Sequence, residues 1–320
     1  MSTRSALIGL ILACGAFGVA HAAEPPAPND DPRGEVRTLA SFPEWYIVYS
    51  AEEYARFVAQ GGMPSEFPYF GAIRQYWETL DIMRANLGDE TIDEETQTVL
   101  NVIGASFTVE YGIIGAYELT IGRLSELASF GRKSPADLAI DANAARYAEF
   151  LYQTPWYRFP YFAMLRDLWQ SQGASLFTSI RSFERMSVFS IGYGVKGIYG
   201  SILTYLSRSA FGYVGMETEI ALENATTSAP RYRAFRDPAL SLLRSGTEFR
   251  TIQGNERILV SAIAPRGAAC TGAPAPIFEM PILTDEGGAR YGYLVPVPDL
   301  RELVLALDAC DAPIEHLYDY

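Results

Sequence analysis

Two stretches of the chain carry the same pattern of apolar and polar positions. Phe67-Pro68-Tyr69-Phe70 through Trp77 and Phe159-Pro160-Tyr161-Phe162 through Trp169 both read F-P-Y-F-x-x-[IL]-R-x-x-W. In each, the residue before proline is pushed into an extended conformation and the proline is preset for a first helical turn. Phe70, Ile73 and Trp77 then fall at i, i+3 and i+7, as do Phe162, Leu165 and Trp169, which predicts one apolar stripe on each of two helices. The match extends both ways in the same order. Upstream, Tyr54-Ala55-Arg56-Phe57 answers Tyr147-Ala148-Glu149-Phe150; downstream, residues 107–117 (FTVEYGIIGAY) answer 189–199 (FSIGYGVKGIY). Three collinear blocks predict a duplicated helical unit, repeat 1 at about 42–130 and repeat 2 at about 135–208.

A helix over 45–59 opens the first unit, with Ser41 as its cap, Pro43 in its first turn and Glu44 complementing the dipole. The third segment of each unit is apolar but rich in glycine: Gly112 and Gly115 in one, Gly194 and Gly197 in the other. Each glycine costs a helix interior roughly 1 kcal/mol relative to alanine. The expected offset is a close crossing of the two third helices, glycine face to glycine face, inside a soluble domain. The alternative is insertion of 186–206 into a membrane, opposed by Lys196 there and by Glu110 and Glu118 in the matching segment.

Beyond about 207 the periodicity changes. Residues 216–222 and 257–264 alternate like strands, and 231–244 has the spacing of an amphipathic helix. Residues 277–283, the turn Asp285-Glu286-Gly287-Gly288 and 289–297 form a hairpin signal. A helix over 298–307 and a strand over 314–318 complete the order β-α-β-β-β-α-β, a ferredoxin-like pattern with one extra strand. The predicted fold class is thus mainly α: a duplicated helical domain at 36–210 followed by a smaller ferredoxin-like α+β domain at 211–320.

Charge argues against a nucleic-acid partner, and the N-terminal segment predicts export. The 320 residues carry a formal net charge of -13, the wrong sign for binding phosphate backbones. Residues 1–22 have the form of a signal peptide ending in Ala20-His21-Ala22, and 23–35 read as a proline-rich acidic linker. A lipidated Cys14 and an uncleaved anchor are the rivals to cleavage. Removal of the signal leaves Cys270 and Cys310, read as a disulfide in an oxidising compartment.

Candidate chemistry is sparse. The one histidine after the signal, His316, is expected in a solvated terminal strand, where Glu315 and Asp319 beside it would make at most a weak surface metal site. No nucleotide-binding glycine pattern or nucleophile elbow is present, and no cofactor or metal is expected. Glu110 and Glu118, eight apart and about 80° around a helix axis, have two readings. They are an ion pair with Lys196 that holds the helices, or an acid-base pair of a hydrolase. Arg74 and Arg166 sit beside the Trp77 and Trp169 stripes, where they close local salt bridges or stack on the rings.

The stretches FPEWYIVYS (42–50), Phe67-Pro68-Tyr69-Phe70 and Glu315-His316-Leu317-Tyr318-Asp319-Tyr320 resemble a family of bacterial exported or envelope proteins to which no activity is attached. The resemblance implies a bacterial origin and no particular chemistry. The function expected from the sequence is a non-enzymatic envelope protein that binds a partner or an apolar small molecule in an aromatic-lined groove between the repeats. Trp77, Trp169, Arg74, Arg166 and Lys196 are its candidate binding residues. A hydrolase using Glu110 and Glu118, and an integral membrane protein, are the alternatives.

Overall fold

The computed structural model describes residues 36–88, 91–92, 94–173, 179–206, 217–268 and 270–319. The expected signal, linker and Cys14, and the boundary drawn at 210/211, lie outside these residues. The chain is mostly helical, with two small antiparallel sheets in its last third.

Helix α1 spans Val36–Ala59, α2 Tyr69–Ala85 and α3 Glu94–Tyr117. A π-helical turn, Glu118–Gly122, carries α3 into α4, Arg123–Ala128. Then come α5, Pro135–Leu151, α6, Tyr161–Gln172, and α7, Ile180–Leu206. Helix α1 begins earlier than the capping pattern predicts, and Pro43 lies inside it. A proline there removes one backbone bond, at about 3 kcal/mol. The added turns recover this through burial: Phe42 stacks on Phe278 at 4.4 Å, and the Thr38 hydroxyl accepts from Leu259 N at 3.0 Å. Ser41 is no cap; its hydroxyl donates back to Thr38 O.

Aromatic rings pack in matching ways in the two halves. Tyr54 meets Phe67 edge-on at 5.1 Å and Tyr147 meets Phe159 at 5.0 Å. Phe67 to Tyr69 and Phe159 to Tyr161 are both 5.0 Å, and Phe107 to Tyr111 at 4.1 Å is answered by Phe189 to Tyr193 at 3.9 Å. Trp77 donates its indole N–H to Thr108, and Trp169 donates to Ser190. Edge-to-face contacts of this kind contribute beyond area burial.

The last third contains strands β1 (Glu217–Leu222), β2 (Thr226–Pro230), β3 (Phe249–Ile252), β4 (Arg257–Pro265), β5 (Phe278–Pro281), β6 (Gly288–Pro296) and β7 (Ile314–Leu317). Helices α8 (Arg233–Arg244) and α9 (Leu300–Ala309) interrupt them. One sheet has the order β2-β1-β3 and the other β5-β6-β4-β7. The single ferredoxin-like sheet expected from the alternation is therefore replaced by two. The reason is that β1 takes both its partners from segments not marked as strands by the alternation: the polar β2, paired from Glu217↔Pro230 to Ala221↔Thr226, and the short β3. The β5–β6 hairpin forms where its turn predicts, with Asp285 accepting from Gly287 N and Gly288 N. Cys270 and Cys310 are joined as a disulfide that ties the loop before β5 to the end of α9.

The largest core cluster is shared. Leu39, Phe42, Tyr46 and Tyr49 of α1 pack with Ile258 and Val260 of β4, Phe278 of β5 and Leu317 of β7. Helices α5, α6 and α7 hold two smaller clusters, around Met186 and around Phe159.

Candidate functional site

The charged residues buried in the apolar helices lie on one seam. Lys196 on α7 pairs with Glu110 on α3 at 2.5 Å, Arg185 with Glu118 at 2.5 Å, and Arg181 with Glu126 at 3.4 Å. Tyr117 and Ser125 both donate to Glu184. As the number rises along α3–α4 it falls along α7, so the two helices lie antiparallel, side by side. Ser134 and Asp137 cap α5 reciprocally, and the same Asp137 carboxylate binds Arg181 at 3.0 Å and Arg185 at 3.1 Å. The capping residue thus fixes a third helix to the seam.

Burial sets the protonation balance there. Desolvation raises the Glu118 carboxyl above the ordinary range, and the Arg185 guanidinium offsets part of this. Burial works against the Lys196 charge, but Glu110 beside it prevails and holds the ammonium above the usual lysine range. Glu110 and Glu118 are each engaged by a different cation, which is the ion-pair arrangement rather than a shared acid-base pair. The sequence reading named Glu110, Glu118 and Lys196 but missed Arg181, Arg185, Glu126, Asp137 and Glu184. Their signal was available: Arg181 and Arg185 are four apart, and Glu118 and Glu126 lie eight apart on the helix they meet.

The glycines do not make the expected crossing. A side chain at Gly115 would meet Tyr69 at 2.9 Å, and one at Gly197 would meet the Phe162 ring at 2.8 Å, both on the second helix of the same unit. Gly112, Gly192 and Gly194 face nothing within 4 Å. Glycine here lets Tyr69 and Phe162 approach α3 and α7 closely, while the polar seam joins those two helices.

Nor are these helices buried. Val109, Ile113, Leu119, Ile121, Leu124 and Leu127 of α3–α4 are exposed, as are Ile180, Phe183, Ile191, Val195, Ile198 and Ile202 of α7. Among the described residues one helix, Thr96–Ala128, is long and apolar enough to cross a membrane, and only 22% of its most apolar stretch is buried. The 186–206 segment is not that helix. At 100° per residue, α3 ahead of the π-helical turn and α7 each present a buried side, then the ion-pair edge, then the free apolar side, in the same rotational order. In an antiparallel pair, equal order puts both free sides on the same side. Both helices thus turn exposed apolar residues to the same side, and Phe70 and Phe162, each 52% exposed, and Trp77 and Trp169, each 37% exposed, add to the apolar exposure of the helical part. Composition cannot separate such a face from a core face, which is why the helices read as buried.

Arg74 reaches Glu78 at 3.6 Å and Arg166 reaches Asp167 at 3.5 Å, all exposed. His316 is 1% exposed, with its ring 3.8 Å from Trp45 and 4.6 Å from Tyr318. That contradicts the solvated strand expected: α1 covers β7, and desolvation, helped by Arg236, pushes the imidazole down to about 3. Glu315 is held by the buried Arg290, which also binds Glu53, and Asp319 is held by Arg231. Among the described residues no cluster has the make-up of a metal site. A polar hollow of about 180 Å³ lies outside Glu315, lined by Glu52, Arg56, Tyr152 and Arg233.

Comparison with known proteins gives no match to any family model, curated protein or solved structure.

Proposed function

We propose that this chain is an exported bacterial envelope protein that docks on a lipid bilayer through the apolar face of α3–α4 and α7, without crossing it. The observation that carries this reading is the one-sided exposure of that face. Monomeric soluble proteins rarely leave so large a contiguous apolar surface in water. Full burial of such a side chain contributes about 1.5–3 kcal/mol, so half-exposed residues retain roughly 1 kcal/mol each. A dozen of them hold on the order of 10 kcal/mol, well beyond one acyl anchor. The opposite side of each helix packs on protein, which favours a helix pair lying in the interface plane over a spanning one. The disulfide of the last third fits an oxidising compartment.

The matched ring geometry and matched indole hydrogen bonds support a duplication, with the units related by a pseudo-two-fold axis that brings α3 against α7. The aromatic-lined groove expected between the repeats gives way in this reading to the charged seam, and Trp77 and Trp169 serve as flanks of the lipid-facing surface, a position amphipathic rings favour.

Flotation with phosphatidylcholine vesicles tests the reading. The full chain is expected to float, with little change on raising salt, because the face is uncharged. Replacing Ile113, Leu124, Ile191 and Val195 by serine removes about 4 kcal/mol, roughly a thousandfold in partitioning. A parent chain that stays with the soluble fraction, or a folded quadruple variant that floats equally well, overturns it.

A further inference from the structure

An open-sided cavity of about 500 Å³ lies in the second unit, between the turn ahead of α6 and the C-terminal half of α7. Its walls include Tyr161, Phe162 and Ala163 on one side and Gly197, Ser201 and Thr204 on the other, with Arg158 at its edge. That volume is in the range of small-molecule sites. The α7 residues next to its lining, Ile198 and Ile202, belong to the exposed apolar face, so the cavity opens at the border of the surface assigned above to lipid.

The two units differ most where this cavity forms. Counting from the F-P-Y-F blocks, Arg158 stands where the first unit has Glu66. Counting from the third blocks, Gly200, Ser201 and Thr204 stand where the first unit has Glu118, Leu119 and Gly122. In the first unit the place is closed by charge: Glu118 binds Arg185, Glu66 lies 3.6 Å from Arg123, and Ser65 donates to Glu126. In the second, Gly200 presents no carboxylate, and the Tyr157 backbone runs close over it, 2.8 Å from where a Cβ would lie. Among the described residues no carboxylate pairs with Arg158, an exposed cation on a chain of net charge -13. An apolar trough with one arginine at its mouth fits a ligand with one tail and one anionic head, and guanidinium binds carboxylate bidentately.

We propose that this cavity holds a long-chain carboxylate drawn from the bilayer, its head on Arg158 and its chain along Phe162 and Gly197. The source of the ligand rests on the bilayer reading; the fit of the cavity does not. The test is titration calorimetry of the full chain in a nonionic detergent with palmitate, and with hexadecanol as the uncharged analogue. Palmitate is expected to saturate at one per chain and to bind at least tenfold more tightly than hexadecanol. Arg158→Leu is expected to bring the two ligands to equal affinity, and Ala163→Trp to block both. Both variants should still float with vesicles, since neither replaces a residue of the exposed Ile, Leu and Val rows. Equal binding of the two ligands by the parent, an unaltered preference in Arg158→Leu, absence of saturable binding, or preference for a diacyl phosphatidylglycerol over palmitate each overturns the assignment. Palmitate binding by a chain that fails to float would remove the bilayer reading and leave the cavity's ligand in place.

Discussion

Replacing Arg181 by methionine should loosen α7 from α4 and α5. The guanidinium is 3% exposed and contacts Asp137 at 3.0 Å, Glu126 at 3.4 Å and Glu184 at 3.4 Å, besides donating to Gly122 O. Methionine has a similar reach and no charge, so the packing loss is small and the electrostatic loss dominates. Asp137 and Glu118 keep Arg185, but Glu126 and Glu184 lose their deepest cation and remain largely desolvated. Removing one partner of a buried pair costs about 3–5 kcal/mol. Urea unfolding followed by tryptophan fluorescence in mild detergent should show that loss at pH 8. The loss should shrink toward pH 5, because burial already raises Glu184, one of the two stranded carboxylates. A group whose folded pKa is raised takes up its proton more readily in the folded state, so lowering the pH relieves the stranded charge. The exposed Arg74→Met control should cost below about 0.5 kcal/mol. A loss under about 1 kcal/mol for Arg181→Met, or one independent of pH, would refute the seam as the link between these helices.

Gly197→Leu should drive into the Phe162 ring and destabilise by roughly 1–3 kcal/mol, whereas Gly192→Leu, facing open space, should be neutral or stabilising in a thermal melt. His316 gives a pH signature. Its folded pKa of about 3 lies below the unfolded value of 6.5, so its stability contribution is full above 6.5 and declines as pH falls toward 3. His316→Phe should therefore lose roughly 2 kcal/mol less than the parent between pH 7 and pH 5 in paired urea titrations; equal slopes would argue against a buried neutral imidazole. Replacing Cys270 and Cys310 by serine opens a loop of separation 40, for which chain entropy predicts a loss of about 4 kcal/mol, read as a lowered urea midpoint.

Much of the helical part was legible because its information is local and repeated. F-P-Y-F fixes an extended residue, a proline start and an apolar stripe within a few positions, and α2 and α6 begin at Tyr69 and Tyr161 as that chemistry requires. What was illegible depends on partners distant in sequence. Pro43 stays inside α1 because β4 and β5 pack on the extra turns. His316 is buried by a helix more than 250 positions earlier in the chain. Gly115 and Gly197 are sites of close approach, as expected, but to Tyr69 and Phe162 rather than to each other's helix, and Gly112 and Gly194 face open space. The orientation of the apolar stripes escaped altogether, since a row of Ile, Leu and Val at helical spacing is equally suited to a protein core and to lipid.

Depth in the bilayer is the most direct test of that orientation. Nitroxides placed by Ile113→Cys, Leu124→Cys, Ile191→Cys and Val195→Cys, with Glu286→Cys as the aqueous control, all in a Cys14→Ser background, can be read for collision with oxygen and with a water-soluble nickel chelate on vesicles. The account predicts that the four helical sites favour oxygen, at similar depth on both helices, and that the site on the β5–β6 turn favours nickel. Strong nickel collision at all five sites, or burial on one helix alone, would contradict a single lipid-facing surface.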